Sequence, residues 1–155
     1  MLFKNMNSKN MNSIELIGGK QTVHLIITYV SMLIFFLVVD YIMIIKVINP
    51  IFQSNVFEIL REQPNLAAAA IFYIFYVSGV YWFGTLAGIR SGSALTAIFS
   101  GTFLGLLAYA TYEFTNFSTL KGWTIEMVIL DTAWGGVLGG LTAAVGYYVS
   151  RAFSS

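Results

Sequence analysis

The residues of this chain that could do chemistry are acids and phenols set inside apolar runs. Asp40 interrupts the run VHLIITYVSMLIFFLVVDYIMIIKVI at 23–48, and Asp131 interrupts the last apolar stretch. Tyr109, Tyr112, Glu113 and Asn116 recur at i, i+3, i+4 and i+7, which places all four on one face of a helix. An ionisable group within a membrane needs a proton, a bound cation or hydrogen-bond donors to offset the loss of water, and such groups mark function by default. Acids beside tyrosine and asparagine donors fit the binding or transport of a proton, a cation or a small cationic solute. Paired carboxyls could also serve acid–base catalysis, but no nucleophile, metal cluster or phosphate loop accompanies them, so no enzymatic activity is expected.

The lack of cysteine excludes disulfides, thiolate metal sites and cysteine nucleophiles, and the lone His24 cannot build a metal site. The GGVLGG stretch at 135–140 lacks the lysine of a phosphate-binding loop and lies in an apolar helix. No cofactor is expected. Eight scattered Lys and Arg residues and a net charge of +1 exclude a nucleic-acid surface.

The elements that must position these groups follow from composition. Residues are 57% hydrophobic and 10% charged with a mean hydropathy of +0.77, whereas soluble domains are about a quarter charged. A helix needs about 20 residues to cross the hydrocarbon, and the chain offers four such segments, at about 23–48, 65–87, 94–114 and 124–149. The expected fold is all-α: one integral membrane domain at 21–152, an antiparallel four-helix bundle joined by short connections. Residues 1–20 read as a flexible polar tail. They are expected to be retained, because the apolar run behind them exceeds a signal core of about 7–15 residues and lacks a cleavage site. Asn49-Pro50 is expected to end the first span. Phe52, Val56, Ile59 and Leu60 fall at i, i+4, i+7 and i+8, so residues 51–63 read as an amphipathic helix at the membrane surface.

At about 1.5 Å per residue, Asp40 lies ~12 Å, Asp131 ~9 Å and Tyr73 ~12 Å inside the same end of the bundle, and the Tyr109–Asn116 face joins them. On the fourth span Asp131, Trp134, Gly135 and Leu138 share a face. The candidate binding residues are therefore Asp40, Tyr73, Tyr109, Tyr112, Glu113, Asn116, Asp131 and Trp134. Trp123, Trp82 and the many tyrosines read mostly as interface anchors and core filling. Glycines stand four apart at Gly84 and Gly88, Gly101 and Gly105, Gly135 and Gly139, and Gly136 and Gly140, the spacing by which helices approach closely in lipid. They would pack the bundle or a homodimer. Five Lys and Arg (Lys4, Lys9, Lys20, Arg90, Arg151) against three (Lys46, Arg61, Lys121) favour cytoplasmic termini.

The stretches PNLAAAAIFYIFYVSG at 64–79, AYATYEFTNFSTLKGW at 108–123 and LDTAWGGVL at 130–138 resemble the small bacterial membrane proteins called domain of unknown function 2177, over roughly residues 21–152. That family carries a tryptophan three residues after the aspartate matched by Asp40, where this chain has Met43. The resemblance implies the four-span fold, the polar layer and a place in a bacterial inner membrane, and implies no substrate. Two classes of function remain open: a carrier-like protein using the acid layer, or an accessory subunit of a larger membrane complex in which that layer only fixes the fold.

Overall fold

The computed structural model describes residues 8–153, with side chains described from residue 18 onward. Helix α1 runs Ser8–Met43 and continues through a π-helical turn, Ile44–Ile48, into α2, Asn49–Val56, and a 3-10 turn, Phe57–Ile59. The second span is α3, Leu66–Gly79, a second π-helical turn, Val80–Thr85, and α4, Leu86–Ser91. The third is α5, Ala94–Thr119, and the fourth α6, Ile125–Ala152. Four helices are long and apolar enough to cross a membrane, and no strand occurs among the described residues. The architecture is a four-helix bundle.

Each connection ends with a capping side chain that satisfies an orphan amide of the helix it opens. Asn65 Oδ1 accepts from the Ala68 amide at 3.1 Å, Ser93 Oγ from Thr96 at 3.3 Å and Thr124 Oγ1 from Met127 at 3.3 Å. The turn between the second and third spans closes on Gly92 at φ 67°, where the left-handed backbone favours glycine, and the Ser93 amide donates to the Gly88 carbonyl at 3.0 Å.

The first span departs from the sequence reading at Asn49-Pro50, where the helix does not stop. The π-helical turn just before it explains why. Asn49 donates to the Ile44 carbonyl, five residues back, so the helix is already widened where the proline ring would clash with a carbonyl one turn earlier and where its missing N–H would break the ladder. The separate surface helix expected at 51–63 is therefore the end of one apolar helix, Gly18–Ile59, that stops short of residue 63. Of its expected apolar face, Phe52 and Val56 are buried against Trp123, Met127 and Val128. Ile59 and Leu60 are exposed.

At the other end, α1 begins at Ser8, inside the segment read as tail; Lys4 lies outside the described residues. No proline interrupts residues 8–20, and the Gly18-Gly19 pair weakens a helix without ending it. The third span runs five residues past its expected end because its polar tail satisfies itself within the helix. Ser118 Oγ and Thr119 Oγ1 both donate to the Thr115 carbonyl at 2.8 Å.

Helix α6 is the axis of the bundle: 44% of its apolar window is buried, against 17% in each other span, so it touches the rest while the others face lipid. Its glycines make that possible, since lipid gives helices little reason to associate beyond close packing. A Cβ at Gly101 would meet the Gly139 carbonyl oxygen at 2.5 Å, and one at Gly105 would collide with the Gly135 carbonyl. Gly84 faces Gly101, Gly88 faces Ala97, Gly136 faces Leu106 and Gly140 faces Thr102. All eight glycines thus meet partners within this chain and do not form a free face for a second copy. We predict that Gly105→Ala lowers stability by about 1–3 kcal/mol through overpacking. Gly18→Ala, where a Cβ meets nothing within 4 Å, should be neutral or stabilising. Thermal unfolding of both variants in detergent, followed by circular dichroism, checks this.

Candidate functional site

Asp40 sits in the last turn of α1 before the helix widens, and only 4% of its surface is exposed. Its Oδ1 accepts from Trp134 Nε1 on α6 at 3.0 Å. The Tyr73 hydroxyl on α3 lies beside the same carboxyl. One acid on the first span is thus held by an indole and a phenol from two others.

Glu113 on α5 is fully buried. Its Oε2 accepts from Trp123 Nε1 at 2.7 Å, while Oε1 has no donor. Against it stands the carboxyl of Asp131 from α6, itself 91% buried and close enough to Asp40 for the two charges to interact. Two carboxyls that adjoin away from water are most stable with a proton or a positive charge between them. The three carboxyls share a layer without converging on one point: among the described residues no group of three His, Cys, Asp or Glu side chains is arranged to hold a metal ion.

Trp123 reaches Glu113 because the connection before α6 turns sharply. Gly122 adopts φ 83°, and a Cβ there would meet the Asn55 carbonyl oxygen at 2.8 Å. The indole then packs edge-on against Phe52 at 5.0 Å and Tyr112 at 5.7 Å. The end of the first span therefore braces the residue that bonds Glu113.

Between α3 and α5 lies a cleft of about 570 Å³ with Asp40 and Asp131 at its floor. Tyr73, Tyr109, Tyr112 and Phe72 wall it with aromatic surface, and Ala68, Ala69 and Ala108 leave the space open. Tyr109 packs its ring directly on Gly135, which has no side chain to keep it out. Asn116 does not line the cleft; its buried side-chain amide lies beside the Tyr112 hydroxyl, behind that wall.

Residues 25–148 match the model of a family described as a predicted membrane protein, DUF2177. The chain belongs to this family. No curated protein and no solved structure matches it. The DUF2177 match spans all eight candidate residues of the acid layer, so the whole site lies in the part of the chain that defines the family.

Two residues of this DUF2177 site escaped the sequence reading. Trp123 is no interface anchor: it is 7% exposed and donates to a buried acid, whereas Trp82 is 61% exposed on the outer surface. Its place in a short polar connection hid this, although an indole N–H one loop away from a membrane carboxyl was the available signal. Tyr76 is the other. Its buried hydroxyl has no partner and sits where Gly105 and Gly139 leave room, its ring against those of Phe36, Phe72 and Tyr109. Trp123→Phe keeps the ring but strands Glu113 Oε2, and we predict a loss of about 1–3 kcal/mol. Trp82→Phe should stay within about 0.5 kcal/mol of the parent. Unfolding of both variants in one detergent gives the comparison.

Proposed function

We propose that this protein is a small carrier that exchanges a proton for a small cationic solute at the Asp40, Glu113 and Asp131 layer. The observation that carries the reading is the adjoining Glu113 and Asp131 pair, with one oxygen lacking a donor, behind an aromatic cleft that opens on Asp131. In the empty site the pair shares one proton between its two carboxyls. An ammonium entering the cleft donates N–H bonds to Asp131 and Asp40, which line it, and displaces the proton of the pair, so one positive charge leaves as one arrives.

Tyr73, Tyr109 and Phe72 suit an organic cation, because ring faces attract positive charge once water is excluded. Tyr73 and Trp134 keep Asp40 supplied with donors in either state. In this reading the protein lies in a bacterial inner membrane with both termini in the cytoplasm, so the acid layer is nearest the opposite face. A translocation path wider than one four-helix bundle would require a second copy, docked through a lipid-facing surface.

Trp123 and Trp134 bond the acids themselves, so their fluorescence should report occupancy. Titrating the full-length protein with butylammonium should give a saturable change whose midpoint moves by about tenfold or more in Asp131→Asn, the loss of one charge-assisted contact. Identical titrations of the parent, Asp131→Asn and Asp40→Asn would remove the carrier reading and leave an accessory subunit whose acid layer serves only the fold.

A further inference from the structure

The cleft above the acids opens toward lipid. Phe72 and Tyr112, at its walls, are 47% and 52% exposed, and both belong to membrane-crossing helices, so their exposed surface faces hydrocarbon or the headgroup boundary. The small residues Ala68 and Ala69 fall in the first turn of α3, which sets one edge of the opening near the membrane surface. A helix 26 residues long spans about 39 Å against a hydrocarbon core of about 30 Å, so these first turns lie at the headgroup boundary and the acids a few ångströms beneath it.

Deeper in the membrane the same two spans form a second recess, of about 560 Å³. Phe83 borders it from the second span, and Phe99, Phe103, Leu104 and Leu107 from α5. Ser100 is its one polar lining residue. Leu104 of this recess and Ala108 and Tyr112 of the cleft follow one another at four-residue spacing along one face of α5, and Leu104 packs beside Gly79 of the second span. An acidic, aromatic chamber at headgroup depth thus continues into an apolar groove at acyl-chain depth. Neither lining includes a lysine or arginine, so a phosphate would find no counter-charge in either recess.

We propose that the ligand of this site is a single-chain cationic amphiphile, an alkylammonium that enters sideways from the bilayer between the second and third spans. Its ammonium sits over Asp131 and Asp40 within the tyrosine walls, and its alkyl chain lies along Phe83, Phe103 and Leu107. This rests on the reading of the acid layer as a cation site and adds the tail, the route and the exclusion of phosphate-bearing headgroups. The apolar groove lies outside the acid layer, so the two ideas can fail separately.

The test uses the full-length protein in nanodiscs and isotope-labelled dodecylammonium, butylammonium and dodecanol, each measured as retention over empty nanodiscs. Ser100→Trp fills the apolar groove at its lining while leaving every residue of the acid layer in place. Dodecylammonium should be retained, should lose about tenfold in affinity in Ser100→Trp, the equivalent of roughly two buried methylenes, and should be lost in Asp131→Asn. Butylammonium should be retained equally by the parent and Ser100→Trp, and dodecanol by neither. If Ser100→Trp leaves dodecylammonium unchanged while butylammonium still binds, the groove holds no tail and this inference is overturned with the cation site intact. If dodecanol is retained as well as dodecylammonium, the headgroup is not recognised and the inference is again overturned. If neither amine is retained by the parent, both ideas fall.

Discussion

Glu113, held by the Trp123 indole on Oε2 and set against Asp131, is the group on which the rest of the bundle depends. A carboxyl removed from water must find donors or give up its charge, and no helix can supply these donors to its own acid here. The first span therefore needs Trp134 of the fourth, the third needs Trp123 from the connection before the fourth, and the fourth needs the third. Those demands, with the Tyr73 hydroxyl of the second span beside Asp40, tie four lipid-soluble helices together at one depth, where apolar packing alone gives little preference for one register over another.

The register that meets these demands is set by glycine. Gly101 against Gly139 and Gly105 against Gly135 fix how α5 slides on α6, and each contact is backbone to backbone with no side chain to yield. Two turns on from Gly105 comes Glu113, and one turn back from Gly135 comes Asp131, so the close crossing delivers the two acids to each other. The same missing side chains admit the Tyr109 ring and the Tyr76 hydroxyl to the bundle interior. The π-helical turn at Val80–Thr85 serves a related end: it brings Gly84 onto Gly101 and lets Thr85 Oγ1 donate to the Ala143 carbonyl at 3.2 Å. Stability and site geometry share one set of contacts.

Much of this was legible in the sequence because two strong regularities carry it. Runs of about 20 apolar residues read directly as spans, and depth counted from their ends put Asp40, Asp131 and Tyr73 in one layer. Rotation about each helix axis was not legible from depth, and it decides that Glu113 meets Asp131 while Asn116 stays outside the cleft. The continuation through Pro50 was hidden as well, since it depends on a widened turn that has no side-chain signature. Trp123 was misread for a similar reason: its environment is made by Gly122 and by Phe52, 71 residues earlier in the chain, so composition near Trp123 said nothing of it.

Infrared difference spectroscopy tests the central claim, that the Glu113 and Asp131 pair holds a proton which a cation displaces. Spectra of the full-length protein in lipid would be recorded with and without butylammonium. The account predicts a protonated-carboxyl band that disappears on adding the amine, with a matching gain of carboxylate absorption, and that is altered by Glu113→Gln and by Asp131→Asn. A spectrum in which bound amine leaves every carboxyl band in place would contradict it.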